Sequence, residues 1–272
     1  QDYSGGEGIT RDSTTVEVYG TIFAFEESPQ TPGLLWAGSD DGLVHVSRDD
    51  GKTWTNITPR EMPEWGCVNM IDLSAHDPGR AHIAVYKYRQ NDFTPYIFQT
   101  SDYGKTWRRL TTGANGIPPT HFVRVVREDP DRKGLLYAGT EYGMYISFDD
   151  GAHWQPFQLN LPVTPITDLM VYRKDLVVST QGRAFWVLDD LSVVHQVSDK
   201  LASAGAHLFK PRGADRSGGG PAALFYSLAA APKQPSGACP DLPVAASAAQ
   251  AASPIRSSTG TLSGPWRRPG LS

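Results

Sequence analysis

The sequence predicts an all-β chain, organised as about four β-propeller blades of four antiparallel strands each, and three observations carry that prediction. One turn motif occurs three times at nearly constant spacing. Short β-rich runs bounded by turn residues flank each copy. No long stretch repeats its apolar residues at the 3.6-residue period of an amphipathic helix.

The motif reads Ser47-Arg-Asp49-Asp-Gly51-Lys-Thr-Trp54, then Thr100-Ser-Asp102-Tyr-Gly104-Lys-Thr-Trp107, then Ser147-Phe-Asp149-Asp-Gly151-Ala-His-Trp154. Copies beginning at 47, 100 and 147 stand 53 and then 47 residues apart, enough for four short strands with their turns. Each residue type suits a hairpin. The Asp accepts backbone N–H groups one or two residues ahead, the Gly takes positive φ without steric cost, and the Trp fills the gap between sheets. Turn capping thus accounts for Asp49, Asp102 and Asp149 without a substrate, so the twelve positions Ser47, Asp49, Gly51, Trp54, Thr100, Asp102, Gly104, Trp107, Ser147, Asp149, Gly151 and Trp154 are read as structural.

The flanking text repeats too. Segments 20–26, 68–74, 122–127 and 166–172 read as first strands, and 34–38, 81–86, 135–139 and 176–180 as short second strands buried between neighbouring sheets. The fourth unit carries Gln181-Gly-Arg183-Ala-Phe185-Trp-Val-Leu-Asp-Asp190 in place of the motif. The expected organisation is a linker or remnant over 1–15, blades over 16–62, 63–115, 116–162 and 163–212, and an Ala-, Ser-, Pro- and Gly-rich disordered tail over 213–272.

Composition excludes several classes. The 272-residue chain has a formal net charge of -4 with scattered Lys and Arg, which argues against nucleic acid as a partner. No apolar run reaches the roughly 20 residues of a membrane-spanning helix. Cys67 and Cys239 lack zinc spacing and read as unpaired thiols. No cofactor-binding fingerprint is present, and no cofactor is expected. The Asp-rich turns lack the alternating ligands and distal Glu of a calcium loop, and the seven His residues lack zinc pairing, so no metal site is expected. Asn56-Ile-Thr58 matches a glycosylation sequon whose following Pro59 lowers its use.

The three motifs resemble the Asp-box, or BNR, repeats of sialidases, xyloglucanase-type glycoside hydrolases and sortilin-type VPS10 receptors. The nearest likeness is to large microbial sortilin-like or glycosyl-hydrolase-like BNR proteins. Gly38-Ser-Asp-Asp-Gly42, Gln90-Asn-Asp-Phe-Thr-Pro-Tyr96, His121-Phe-Val-Arg-Val-Val-Arg-Glu-Asp-Pro130, Leu135-Leu-Tyr-Ala-Gly-Thr-Glu141, and Thr180-Gln-Gly-Arg183 with Phe185-Trp-Val-Leu-Asp-Asp190 carry it, over about residues 16–212. The resemblance implies a ring of more blades than four, Asp-box turns at its periphery, and a parent protein that is secreted or periplasmic. The partners it implies are the remaining blades or domains of a longer chain.

A propeller's ligand site forms where loops at one end of the ring meet the central channel. Arg89, Asn91, Asp92, His121, Arg124, Glu141 and Arg183, together with Glu128 and Asp129, form the candidate pool. The expected function is a propeller segment presenting a surface for a peptide or glycan, not catalytic on its own. The alternatives are part of a glycoside hydrolase, with Asp72, Asp129 and Asp168 as candidate carboxylates, and a structural scaffold. A hydrolase requires two carboxylates facing an open cleft, so isolated or ion-paired inward carboxylates argue against it.

Overall fold

The computed structural model describes residues 20–198, 201, 204–213 and 224–229. The first antiparallel sheet holds β1 (Ile22–Glu27), β2 (Leu35–Ser39), β3 (Val44–Ser47) and β4 (Thr55–Asn56), in that order. The second holds β5 (Cys67–Leu73), β6 (Ala81–Lys87), β7 (Asp92–Thr100) and β8 (Arg108–Arg109). The third holds β9 (Val123–Glu128), β10 (Leu136–Thr140), β11 (Gly143–Ser147) and β12 (Gln155–Pro156).

The fourth sheet has three strands among the described residues, β13 (Ile166–Tyr172), β14 (Asp175–Thr180) and β15 (Phe185–Leu188), against four in each of the others. Asp190 takes φ 63° after β15 and accepts the Ser192 N–H on its carboxylate, so the chain leaves the sheet as the short helix α1 (Ser192–Gln196). Within 213–272, the expected tail, the described strand β17 (Tyr226–Leu228) pairs antiparallel with β16 (Ala206–Leu208), and Phe209 and Phe225 join a small core with Val193 and Val197. The proposed linker 1–15, residues 16–19 of the first unit and most of that tail lie outside the described residues.

First strands pack on first strands, β1 against β5, β5 against β9 and β9 against β13. The sheets therefore fan out from a common axis as an arc of a β-propeller. The core sits in the three seams between them. Trp36, Val44 and Val46 meet Val68, Ile71 and Ile83 in the first seam. Ile97 and Leu110 meet Val126 and Leu136 in the second. Tyr137, Met144 and Ile146 meet Leu169, Leu176 and Val178 in the third. Strands of the second and third sheets are covered on both faces, which is why they read as apolar runs rather than alternating ones. Approach is so close that a β-carbon on Gly38 would stand 2.4 Å from Val68 Cγ1, and one on Gly139 2.6 Å from Ile166 Cγ2.

Each copy of the repeated turn motif is closed by its own side chains, over a longer reach than the sequence suggests. Ser47 Oγ accepts the Gly51 N–H and donates to Asp49, whose two oxygens take the Thr53 N–H at 2.8 Å and the Thr53 hydroxyl at 2.6 Å. The Asp thus reaches four residues ahead, not one or two. Thr100, Asp102, Gly104 and Thr106 repeat the arrangement, as do Ser147, Asp149, Gly151 and His153. The Trp then joins sheets. Trp107 Nε1 donates to the Ile57 carbonyl and Trp154 Nε1 to the Leu110 carbonyl, each on the preceding sheet. Trp54, with no described sheet before it, donates to its own Gly51 carbonyl and is 41% exposed, against 4% for Trp154.

Both flanks of the arc are apolar and open among the described residues. Ile22, Phe23, Phe25, Leu43 and Trp54 are exposed on the first sheet, and Val163, Met170, Tyr172 and Phe185 on or beside the fourth.

Candidate functional site

Strand direction sorts the loops into two ends. The turns of the repeated motif and the first-to-second strand turns share one end. The second-to-third strand loops, together with the connections entering each new sheet, share the other. Arg89, Asn91, Asp92, His121, Arg124, Glu141 and Arg183 all lie at this second end.

A repeated backbone irregularity shapes that end. In each of the four sheets of the arc the first strand carries one extra residue near its start, Phe23, Asn69, Arg124 or Thr167, where the register to the second strand shifts. Bulges of this kind re-aim a side chain out of the ladder. Arg124 is accordingly half-buried between the fully buried Val123 and Val125, and its carbonyl accepts the Asn69 amide from the neighbouring sheet.

Around Arg124 the structure assembles an aromatic ledge. Its guanidinium makes a two-point ion pair with Glu141, at 2.9 Å from Nε and 2.7 Å from a terminal nitrogen. The same group lies over the rings of Phe122 and Tyr88, 5.2 and 5.6 Å from their centroids. Tyr88 stacks on Phe122 at 4.7 Å with 20° between planes, and Phe93 approaches Phe122 at 6.2 Å. On the other side His121 shares a hydrogen bond with the Tyr145 hydroxyl at 2.9 Å and packs 4.5 Å from Tyr142. Burial holds the His121 imidazole below its ordinary pKa, which favours the neutral ring. Phe93 and Tyr142 remain 42% and 48% exposed at the rim.

The other candidates fall into two groups. Arg89 lines a small cleft with Asp40, Trp65, Cys67, Tyr86 and Gln90. Its guanidinium is held above its ordinary pKa by a hydrogen bond with the Tyr88 hydroxyl, and burial pushes the Cys67 thiol up to about 11, so that thiol stays protonated. Asn91 and Asp92 are turn formers. Asn91 sits at φ 61° and closes on the Tyr88 carbonyl. Burial alone would raise the Asp92 carboxyl, but bonds from Thr94 and the Tyr96 hydroxyl outweigh it and hold the group low. Arg183 is exposed on the β14–β15 loop, where its carbonyl accepts the Trp186 indole.

Glu128 and Asp129 lie at the opposite end and are buried. Glu128 pairs with Arg80 at 3.0 Å across the second seam. Asp129 fills its oxygens with the Asp131 and Arg132 N–H groups, the Tyr137 hydroxyl and His195 Nε2. Asp129, Asp131 and His195 also stand close enough to share a cation, but these bonds already account for the Asp129 carboxylate.

Arg127 organises the inward carboxylates. It donates to Asp72 at 3.3 Å, to Asp168 at 3.4 Å and to the Leu169 carbonyl at 3.1 Å, tying three sheets together. Asp72 also accepts the Glu128 N–H at 2.8 Å. Burial raises the Glu26 carboxyl beside this group; Arg127 opposes the rise, while Asp72 and Asp168 add to it. Neither Asp72 nor Asp168 faces an open cleft as a free carboxylate.

Sequence reasoning missed the ledge aromatics Tyr88, Phe93, Phe122 and Tyr142. The available signal was the dense run Tyr86-Lys-Tyr88-Arg-Gln-Asn-Asp-Phe93, too aromatic for an ordinary solvated loop.

No protein-family model matches the chain. Vacuolar protein sorting/targeting protein 10 of Laccaria bicolor is 29% identical over 122 residues, covering 44% of this chain. The chain spans 7% of the length of that curated relative. A structure of YCF48 bound to D1 peptide overlays with a TM-score of 0.46 at 17% identity, covering 61% of this chain and 51% of that one. The GH74 xyloglucanase of Xanthomonas campestris overlays with a TM-score of 0.48 at 14% identity, covering 61% of this chain and 29% of that one. The GH74 enzyme of Niastella koreensis overlays at 0.49 and 15%, with 62% and 28% coverage.

Proposed function

We propose that this arc presents a ligand-binding surface for a peptide or glycan, within a larger exported propeller, and is not catalytic on its own. The observation that carries the reading is the aromatic ledge, whose rim residues Phe93 and Tyr142 stay about half exposed beside the Arg124–Glu141 pair. Exposed aromatic faces with fixed polar groups at their edges supply contact area at low ordering cost. The apolar flanks support the larger ring, since a sheet face of this kind needs a neighbouring blade against it. Among the described residues no helix is long and apolar enough to cross a membrane.

A binding array of glycans and peptides tests the proposal, using the full chain and a Phe93→Ala/Tyr142→Ala pair. The pair should weaken a hit by about tenfold or more, the loss expected of central aromatic contacts, while thermal stability stays nearly constant. Unchanged binding by the variant would refute the ledge, and silence on both arrays would favour a scaffold.

Glycoside hydrolysis is the second and weaker reading, because Arg127 engages both Asp72 and Asp168 and leaves only the raised Glu26 carboxyl beside them as an acid. It requires Glu26→Gln to abolish a measured glycosidase activity while leaving array binding intact.

A further inference from the structure

We propose that the cleft between the lower turns of the third and fourth sheets binds an oxyanion group, a phosphate or a sulfate. The site lies at the end that carries the repeated turns, away from the ledge, and does not rest on the function proposed above. The β13–β14 hairpin closes on the Tyr172 and Asp175 pair, which leaves Arg173 and Lys174 as a two-residue loop. Both take left-handed backbone, with φ 50° and 68°. Loops needing positive φ at both positions ordinarily hold Asn and Gly, because a longer side chain there strains the backbone. Two cations at these positions are costly to the fold and are fixed in place by it, a combination that marks functional turns.

The surroundings hold the loop rigid. The Lys174 carbonyl accepts the Leu191 N–H at 2.7 Å, and the Arg173 carbonyl accepts the Arg212 guanidinium at 2.7 Å. A second Arg212 nitrogen meets Asp175 Oδ1 at 2.7 Å. Arg173, Lys174 and Arg212 line an open cleft of about 420 Å³ with Pro130, Asp131 and Val171. Asp175 is engaged by Arg212, which leaves Asp131 as the sole carboxylate of the lining. Among the described residues neither Arg173 nor Lys174 is in an ion pair. The nearby Arg132 turns away onto the Val194 and His195 carbonyls, and Lys133 pairs with Asp77. Arg173 lies over the Tyr172 ring, 5.1 Å from its centroid, a contact that leaves its N–H donors open. Two cations outside any described ion pair against one carboxylate favour a compact anion, and the planar guanidinium fork matches tetrahedral oxygens.

The test measures the thermal midpoint of the full chain in sodium sulfate, sodium phosphate and sodium chloride at matched ionic strength. It compares the natural chain with Arg173→Asn/Lys174→Gly, and follows the backbone amides of 173–175 by NMR in the same titrations. Sulfate or phosphate should raise the midpoint of the natural chain by about 2–4 °C beyond chloride, with amide shifts centred on the loop. The variant should melt higher in chloride, because its turn is relaxed, yet lose the oxyanion increment. Which anion gives the larger increment separates a phosphate from a sulfate source. Equal midpoints in all three salts, or an increment retained by the variant, would overturn the proposal.

Discussion

Replacing the same motif residue at two places in the arc should give two different costs. Trp154 is 4% exposed, packs with Ile97 and Leu110 in the second seam, and donates to the Leu110 carbonyl. That carbonyl also accepts the Asn115 amide at 2.8 Å, so removing the indole orphans nothing, and the cost is mostly lost packing. Trp154→Ala should therefore lose about 3–5 kcal/mol, the range for a buried aromatic truncation. Trp54 is 41% exposed and bonds only within its own turn, so Trp54→Ala should lose roughly 1 kcal/mol. With a urea slope of about 2 kcal/mol per molar, the midpoints should fall by roughly 2 M and roughly 0.5 M. Circular dichroism during urea titration reads both. Trp154→Phe, costing about 1–1.5 kcal/mol, covers the case in which the Ala variant does not fold. Equal shifts for Trp54→Ala and Trp154→Ala would refute the reasoning, since they would mean that the first sheet's outer face is as well covered as a seam.

Three further outcomes follow from the same geometry. Gly139→Ala places a methyl 2.6 Å from Ile166 Cγ2 and Val125 Cγ1 and should lower stability by about 1–3 kcal/mol in a thermal melt. Arg80→Met leaves the Glu128 carboxylate, whose side chain is 1% exposed, without its ion-pair partner and should cost about 3–5 kcal/mol in a urea titration at neutral pH. The Asp49 carboxyl, pulled down to about 2 chiefly by the Thr53 hydroxyl and also by its N–H, should titrate well below the ordinary Asp value near 4 in carbon-13 NMR. A depressed native pKa stabilises the fold above the unfolded value, and that contribution fades as pH falls from about 4 towards 2. Thr53→Ala should move the Asp49 titration back upward.

The repeated turns were legible because the side-chain bonds that close them lie within eight consecutive residues. Ser47, Asp49, Gly51 and Thr53 bond to one another, so composition and spacing suffice, while the Asp50 N–H adds a bond to the distant Gly33 carbonyl. What failed depended on partners distant in sequence. Glu128 and Asp129 look like exposed loop acids until Arg80 and His195 are brought beside them. Arg124 owes its orientation to a register shift between β9 and β10, which no local pattern announces. The ledge joins Tyr88 and Phe122 across a seam, so its stacking is a property of two sheets, not of one motif. That no fourth strand follows β15 among the described residues had a local cue in Asp189-Asp190, where a motif would have continued the hairpin.

Asp129 also sets a schedule for the growing chain. Its carbonyl is met by His76, made earlier, but its carboxylate awaits His195, 66 residues further on. At about 5–20 residues per second, a ribosome takes roughly 3 to 13 s to supply that imidazole. During the wait Tyr137 and two local N–H groups are the carboxylate's only described company. Arrival of α1 then locks a turn belonging to the third sheet, so the nascent arc completes its third unit only after the fourth has been translated.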